Sequence, residues 1–309
     1  MGWGRIYFAV QAVAGAMWWV AVFTSPFVCE ATLGSLDPVV VALLDIPLFV
    51  GASALAAGGL RAAAVVTTAW TNLVLLALAV YATVTTEAGW GVVAMAGASA
   101  GSVLALTLVI FGRVPTSWLL RGPFAFRPAV VAPRPLRYVV TTFAQVAIFW
   151  LVFLAGIPIV AVALERRWGL ALPFPAVAAP VGVGVFVMAS ALGIWSAVTM
   201  STRGAGTPLP AAMPNRLVVA GPYLWVRNPM AVASIVQGIA VGLMLSSWLV
   251  VVYAIAGALL WNYAIRPHEE ADLEQRFGHD FRRYRDSVRC WIPQLPGVLG
   301  RAYGPSAGA

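Results

Sequence analysis

The chain contains no lysine; all 19 of its basic residues are arginine. Charged residues of either sign make up only 10% of its 309 positions, against about a quarter in soluble domains, which excludes an ordinary water-soluble fold. Cysteine is scarce as well, Cys29 and Cys290 being the whole supply. They fall on opposite sides of the membrane in the topology below and no Cys/His spacing suits zinc, so neither a disulfide framework nor a metal site is expected. The Gly204-Ala205-Gly206 stretch neither follows a strand nor opens a helix, which excludes a Rossmann phosphate loop. No transporter-type repeat is expected, since the two halves share neither a broken helix nor a polar pattern.

What the chain has is apolar length. It is 61% hydrophobic with a mean hydropathy of +0.89, so an all-α polytopic membrane protein is expected. A span needs about 20 apolar residues, and eight segments qualify or nearly do: Ile6 to Phe23, Pro38 to Leu60, Ala62 to Val84, Trp90 to Phe111, Tyr138 to Leu164, Ala176 to Met200, Met230 to Leu245 and Trp248 to Ile265. The first reads as a retained helix rather than a signal peptide. The last two are short and joined by Ser246-Ser247, which reads as a tight helical hairpin.

If eight spans alternate, the loop arginines fall on one side except Arg166 and Arg167, while Glu30, Asp37, Glu87 and Glu165 fall on the other. That places both termini on the cytoplasmic side. The arginine-only usage, with abundant Ala, Val and Gly, points to a GC-rich bacterial genome and hence a bacterial cytoplasmic membrane. The net charge of +8 is accounted for by topology and lipid headgroups, so no nucleic-acid partner is expected. Nothing in the sequence sets the oligomeric state.

Residues 113–137 form a connector with Pro115, Pro123, Pro128, Pro133 and Pro135 and with Arg113, Arg121, Arg127, Arg134 and Arg137. It is expected to be extended near the headgroups, dividing an accessory region, 1–112, from a C-terminal core and cap, 138–309. In the accessory region Asp45 lies within a span, and a local Thr, Asn or backbone partner is expected ahead of a proton relay. Gln11 and Gln145 read as interhelical hydrogen-bonding groups.

Polar groups concentrate after Met200, from Thr207 to Pro293. Gly221-Pro222-Tyr223 begins a turn that Arg227-Asn228-Pro229 ends by starting a helix, whose free N–H groups favour an anionic ligand group. Across the hairpin, Arg266, Glu269 and Glu270 stand at i, i+3 and i+4 and share a face if the helix survives Pro267. A surface ion-pair cluster with Asp272 and Arg276 is the plainer reading. Phe277, Phe281, Tyr284, Val288 and Trp291 recur at spacings of four and three among arginines, the pattern of an amphipathic cap.

These blocks resemble a known family. Thr207-Pro208, Arg216-Leu217-Val218, Gly221-Pro222-Tyr223, Trp225, Arg227-Asn228-Pro229-Met230, Glu269-Glu270, Leu273, Phe277-Gly278, Phe281, Tyr284, Val288 and Ile292-Pro293 look like the C-terminal signature of the isoprenylcysteine carboxyl methyltransferase and phospholipid methyltransferase superfamily. The resemblance implies a helical membrane enzyme that uses S-adenosylmethionine on the cytoplasmic side and takes a lipophilic acceptor from the bilayer. It implies a cofactor pocket from Gly221, Pro222, Tyr223, Arg227, Asn228, Pro229, Glu269 and Glu270, with Arg266 and Glu269 nearest the chemistry and Trp261, Asn262 and Arg266 facing the substrate. Ala231 and Ala233 depart from the Tyr and Gly common in relatives, and Asn228 stands where the eukaryotic prenylcysteine enzymes have His. The acceptor stays open between a carboxylate, such as a prenylcysteine-like or isoprenoid acid, and a lipid amine. An NADPH-dependent sterol or enone reductase shares part of this pattern, but Leu273 and Arg276-Phe277-Gly278 replace its usual Cys and Lys-Tyr-Gly segment. A non-catalytic lipid-binding or scaffold protein is the third alternative.

Overall fold

The computed structural model describes residues 2–121, 125–129, 136–207 and 212–293. Pro123, Pro133, Arg134, Pro135, Pro208 and Pro210 lie outside the described residues, as does the chain beyond Pro293. Nine helices organise the described chain: α1 Trp3–Thr24, α2 Pro26–Leu33, α3 Pro38–Gly58, α4 Arg61–Thr85, α5 Gly89–Phe111, α6 Leu136–Arg167, α7 Ala178–Gly204, α8 Pro229–Met244 and α9 Trp248–Ser287. Seven are long and apolar enough to cross a membrane, α2 and the shorter α8 being the exceptions. Among the described residues there is no strand, only an isolated bridge of Pro128 with Met213. The protein is a multi-pass helical membrane protein.

Most apolar side chains on the spans point outward. On α1, Val10, Val13, Met17 and Val20 are all more than half exposed, and their spacing traces one helix face. In hydrocarbon such a face is a lipid contact, while every backbone polar group has to be satisfied internally. Three prolines inside spans challenge that rule, since each lacks an N–H and crowds the preceding turn. In each case the helix widens into a π turn beside the proline: Ile46–Gly51 around Pro47, Trp150–Gly156 before Pro158 and Trp261–Ile265 before Pro267. The spans therefore continue where a break was to be expected.

The chain divides into two compact units. The first comprises Met1–Pro115 with Ala163–Ala171, so the end of α6 belongs with the N-terminal helices. Gln11 on α1 is the hub of its interior. Its amide donates to Ser53 Oγ (3.1 Å) and Thr67 Oγ1 (3.3 Å), and its carbonyl accepts from Ser102 Oγ (2.8 Å). Arginines close two helix ends: Arg5 donates to the Ala57 and Gly58 carbonyls of α3, and Arg167 to the Thr83 and Val84 carbonyls of α4. The guanidinium supplies donors where the last turn has orphan carbonyls. Asp45 has a local partner, but of another kind than expected. Its two oxygens accept the indole N–H groups of Trp19 (2.9 Å) and Trp70 (2.7 Å).

The second unit comprises Thr116–Val162 and Leu172–Ala309. Within it α7, α8 and α9 pack through small residues, as membrane helices do. Gly182 lies against the Ala240 carbonyl, Gly193 against Ala233 and Gly238 against Ala254. Gln237 donates to Ser190 Oγ across the α7–α8 interface (2.9 Å). The connector is not wholly extended: Thr116–Leu120 forms a 3-10 turn packed on the π turn of α9, and Asn215 joins Ala129 to Ala205. Gln145 departs from its expected role, its Oε1 being buried with no hydrogen-bond partner.

Asp45→Ala removes the shared acceptor and leaves two indole N–H groups unpaired, so stability is expected to fall by about 1–3 kcal/mol. Thermal unfolding in detergent checks this, with Asp45→Asn expected to retain most of the midpoint. An unchanged midpoint for Asp45→Ala would remove the carboxylate from the account of the first unit.

Candidate functional site

Two elements converge at the polar end of the second unit, the Gly221 loop that leads into α8 and the charged arm of α9. From Arg266 onward about half of the α9 positions carry charge, so the apolar crossing ends there and the arm lies outside it. Gly221 adopts φ +55°, and a Cβ on it would come within 3.1 Å of Thr199 Oγ1 and 3.3 Å of Trp195 Nε1. A side chain at this position would be strained and crowded. The residues that follow form a 3-10 turn, Gly221–Leu224, which buries Pro222 and Tyr223. Trp225 then packs edge-on against Trp195 at 5.5 Å. Asn228 caps α8 by accepting from the Ala231 N–H (3.0 Å), and Pro229 takes the first helical position, where a missing N–H is tolerated.

Arg227 ties the loop to the arm. Its Nη2 donates to Glu270 Oε1 at 2.7 Å, and its Nη1 donates to the carbonyls of Arg285 (2.8 Å) and Val288 (3.0 Å). Its backbone N–H donates to the Arg289 carbonyl (2.9 Å). One side chain thus holds a carboxylate and the C-terminal carbonyls of α9, a charge-assisted arrangement. Tyr284 adds a hydrogen bond to the Tyr223 carbonyl (2.7 Å), and Phe281, Tyr284 and Val288 form a buried cluster with Leu217, Val219, Leu273 and Phe277. The arm bends at Gly278, whose φ of +53° interrupts the helix. Glu274 before the bend pairs with Arg282 (3.3 Å) and Arg285 (2.6 Å) after it, and these partners, Arg285 first, hold its carboxyl below the usual range.

Asn262 links the π turn of α9 to the residues that follow it. Its Oδ1 accepts from Arg266 Nη1 (2.8 Å) and from Trp291 Nε1 (2.8 Å), while Trp261 meets the Trp291 ring edge-on at 5.1 Å. Arg266 is also ion-paired with Glu270 through its buried Nε at 3.5 Å, without a formed hydrogen bond. Cys290 is buried beside this cluster. Burial pushes its thiol up, against the pull of Arg227 and Arg266.

The two adjacent carboxylates have separate environments. Neighbouring positions on a helix are about 100° apart, and here Glu270 turns to Arg227 and Arg266 while Glu269 makes no hydrogen bond or ion pair among the described residues. Burial pushes the Glu269 carboxyl up to about 7, with Glu270 and Asp272 adding to the rise. Tyr223 is only 4% exposed and its hydroxyl has no hydrogen-bond partner. Burial raises its pKa well above the usual value, with further contributions from Tyr284 and Glu269. Buried polar groups are rarely left unmade, so the Tyr223 hydroxyl marks where a polar ligand would be received, with the half-buried, unpaired Glu269 carboxyl acting on it.

The residues singled out in the sequence thus take different places. Tyr223 and Glu269 keep free polar atoms, whereas Arg227, Arg266, Glu270, Asn228 and Asn262 are engaged with protein partners. Asp272 and Arg276 pair with each other (3.3 Å), and Arg276 also reaches the Pro214 carbonyl. His268 meets Thr116 Oγ1 at 2.9 Å. The sequence pattern placed Tyr284 and Trp291 on an amphipathic cap without revealing that one bonds the Tyr223 carbonyl and the other Asn262. Cys290 carried no signal beyond its position before Trp291. The described residues contain no group of His, Cys, Asp or Glu arranged to hold a metal.

Fold and site define a polytopic membrane protein whose polar cap is built by a loop, a two-helix hairpin and a charged arm. A family model described as phospholipid methyltransferase matches residues 177–280, about a third of the chain. The match spans Gly221 through Glu270 and bears out the resemblance read from the sequence motifs; it supports a membrane methyltransferase as the general class of activity. Comparison with curated proteins gives no match.

Arg227→Met would leave Glu270 without its nearest partner and uncap the end of α9. A destabilisation of about 3 kcal/mol is expected, the range for breaking a mostly buried pair. Chemical unfolding in detergent measures it, and limited proteolysis after Ser287 is expected to accelerate. Wild-type stability in Arg227→Met would show that the arm is held by its apolar cluster alone.

Proposed function

We propose that this protein is an integral membrane methyltransferase that uses S-adenosylmethionine to methylate a lipophilic acceptor, a carboxylate or a lipid amine, drawn from the bilayer. The proposal places the polar cap and both termini on the cytoplasmic face of a bacterial membrane. The observation that carries it is the free Glu269 carboxyl near the unpartnered Tyr223 hydroxyl, within the stretch that matches the phospholipid methyltransferase family. An acceptor and a donor, both short of partners, suit a ligand that bears cationic groups and hydroxyls. When bound, S-adenosylmethionine supplies an electrophilic methyl group on a sulfonium, transferred by in-line displacement.

The protein's part is alignment and exclusion of water. Glu269 offers negative charge to the amino group or ribose hydroxyls of the cofactor, and the Tyr223 hydroxyl donates to it. The backbone of the Gly221 loop shapes the wall, held by Arg227. Glu270 fixes Arg227 and Arg266 rather than meeting ligand directly, and Arg266, so held, faces the acceptor side with Trp261 and Asn262. A carboxylate acceptor needs no base. An amine or hydroxyl would have to lose its proton before attack.

The pKa of Glu269 sets the sign of a pH effect. With the carboxyl raised to about 7, it is mostly protonated at pH 6, and a cationic ligand has to displace that proton. Affinity for S-adenosylmethionine is therefore expected to rise about tenfold from pH 6 to pH 8, and Glu269→Gln is expected to weaken binding and flatten the profile. Calorimetric titration of the detergent-purified chain with S-adenosylmethionine checks both, with NADPH titrated in parallel. Saturable NADPH binding without S-adenosylmethionine binding would overturn the proposal in favour of a reductase, and binding of neither would point to a scaffold.

A further inference from the structure

A second polar feature of the C-terminal unit lies outside the Glu269 and Tyr223 groups. A cleft of 560 Å³ is lined by Arg203, Arg216 and Arg283, by Asp280, and by an apolar wall that includes Leu217 and Phe277. All three arginines are exposed. Arg203 and Arg216 have no ion-pair or hydrogen-bond partner for their side chains among the described residues, and Arg283 has only a 3.4 Å contact with His279 Nδ1. Three cations face one carboxylate, so the cleft repels a sulfonium and attracts an anion. Arginine's planar fork suits phosphate oxygens, which accept two N–H donors at once.

We propose that this cleft binds the phosphate of an anionic phospholipid whose headgroup carries hydroxyls. Two observations set the class. Arg203 lies in the last turn of α7, an apolar helix long enough to cross the membrane, so the guanidinium sits where a span meets the headgroup layer. Asp280 gives the cleft one acceptor among three donors, a place for a headgroup hydroxyl. Occupancy reaches the polar cap through packing, because Leu217 and Phe277 belong to the cluster of Phe281 and Tyr284, and Tyr284 holds the Tyr223 carbonyl. A phosphate drawing Arg216 and Arg283 together would brace the arm beyond the Gly278 bend.

Native mass spectrometry of the full chain, delipidated and supplied with phosphatidylglycerol or phosphatidylcholine, tests this. Wild type is expected to retain phosphatidylglycerol selectively. The R203Q/R216Q/R283Q variant is expected to bind it roughly 100-fold more weakly, at about fivefold per arginine near a membrane surface. Replacing the same three by Lys is expected to restore part of the binding, since the charge returns without the bidentate fork, and it separates loss of the site from loss of the fold. R113Q/R121Q, which removes exposed arginines elsewhere, is expected to bind as wild type. Equal losses in that variant would reduce the effect to general surface charge and overturn the site. Displacement of phosphatidylglycerol by equimolar inorganic phosphate or glycerol 3-phosphate would overturn the lipid as the source while keeping a phosphate site. Indifference of wild type to the headgroup would overturn the proposal altogether.

Discussion

The guanidinium of Arg227 is the interaction on which the C-terminal unit turns. Its donors reach a carboxylate before the Gly278 bend of α9 and two carbonyls at the end of that helix, and its own backbone N–H joins the chain just beyond. A lysine has no fork with which to make these contacts together. The bond is also what releases Glu269, because Arg227 and Arg266 both turn to Glu270 and leave the adjacent carboxyl unopposed.

The same chemistry recurs in the first unit, where Arg5 and Arg167 close the ends of α3 and α4. A membrane environment gives an orphan carbonyl no water, so a helix end near the hydrocarbon needs a protein donor. Capping explains the work of these three. The prolines obey the same constraint from the other side. Each proline inside a span removes a donor and is answered by a π turn, and in α9 that turn presents Trp261 and Asn262 where the apolar crossing gives way to charge.

Departures from the family pattern find a physical setting. Ala233 is 1% exposed and faces Gly193, so its methyl fills a gap that a glycine partner leaves. Ala231 lends its N–H to the Asn228 cap, which begins α8 whatever side chain follows. Neither alanine supplies an aromatic wall. Trp195 and Trp225 place aromatic surface beside Gly221 instead.

Much of the architecture was legible in the sequence, because apolar length, proline position and loop charge are properties of the chain itself. The spans, the serine-linked hairpin and the amphipathic arm all follow from them, as does the grouping of polar motifs between Gly221 and Glu270. What the tertiary structure alone decided is partnership. Glu269 and Glu270 are the same residue type at adjacent positions, and only the approach of Arg227 from a distant loop makes one a clamp and leaves the other free. Asp45 was expected to find a Thr, Asn or backbone partner, yet Trp19 and Trp70 reach it first from neighbouring helices. Hydrogen bonds and ion pairs depend on angstrom-scale geometry between segments far apart in sequence, whereas burial pattern and span length are written locally.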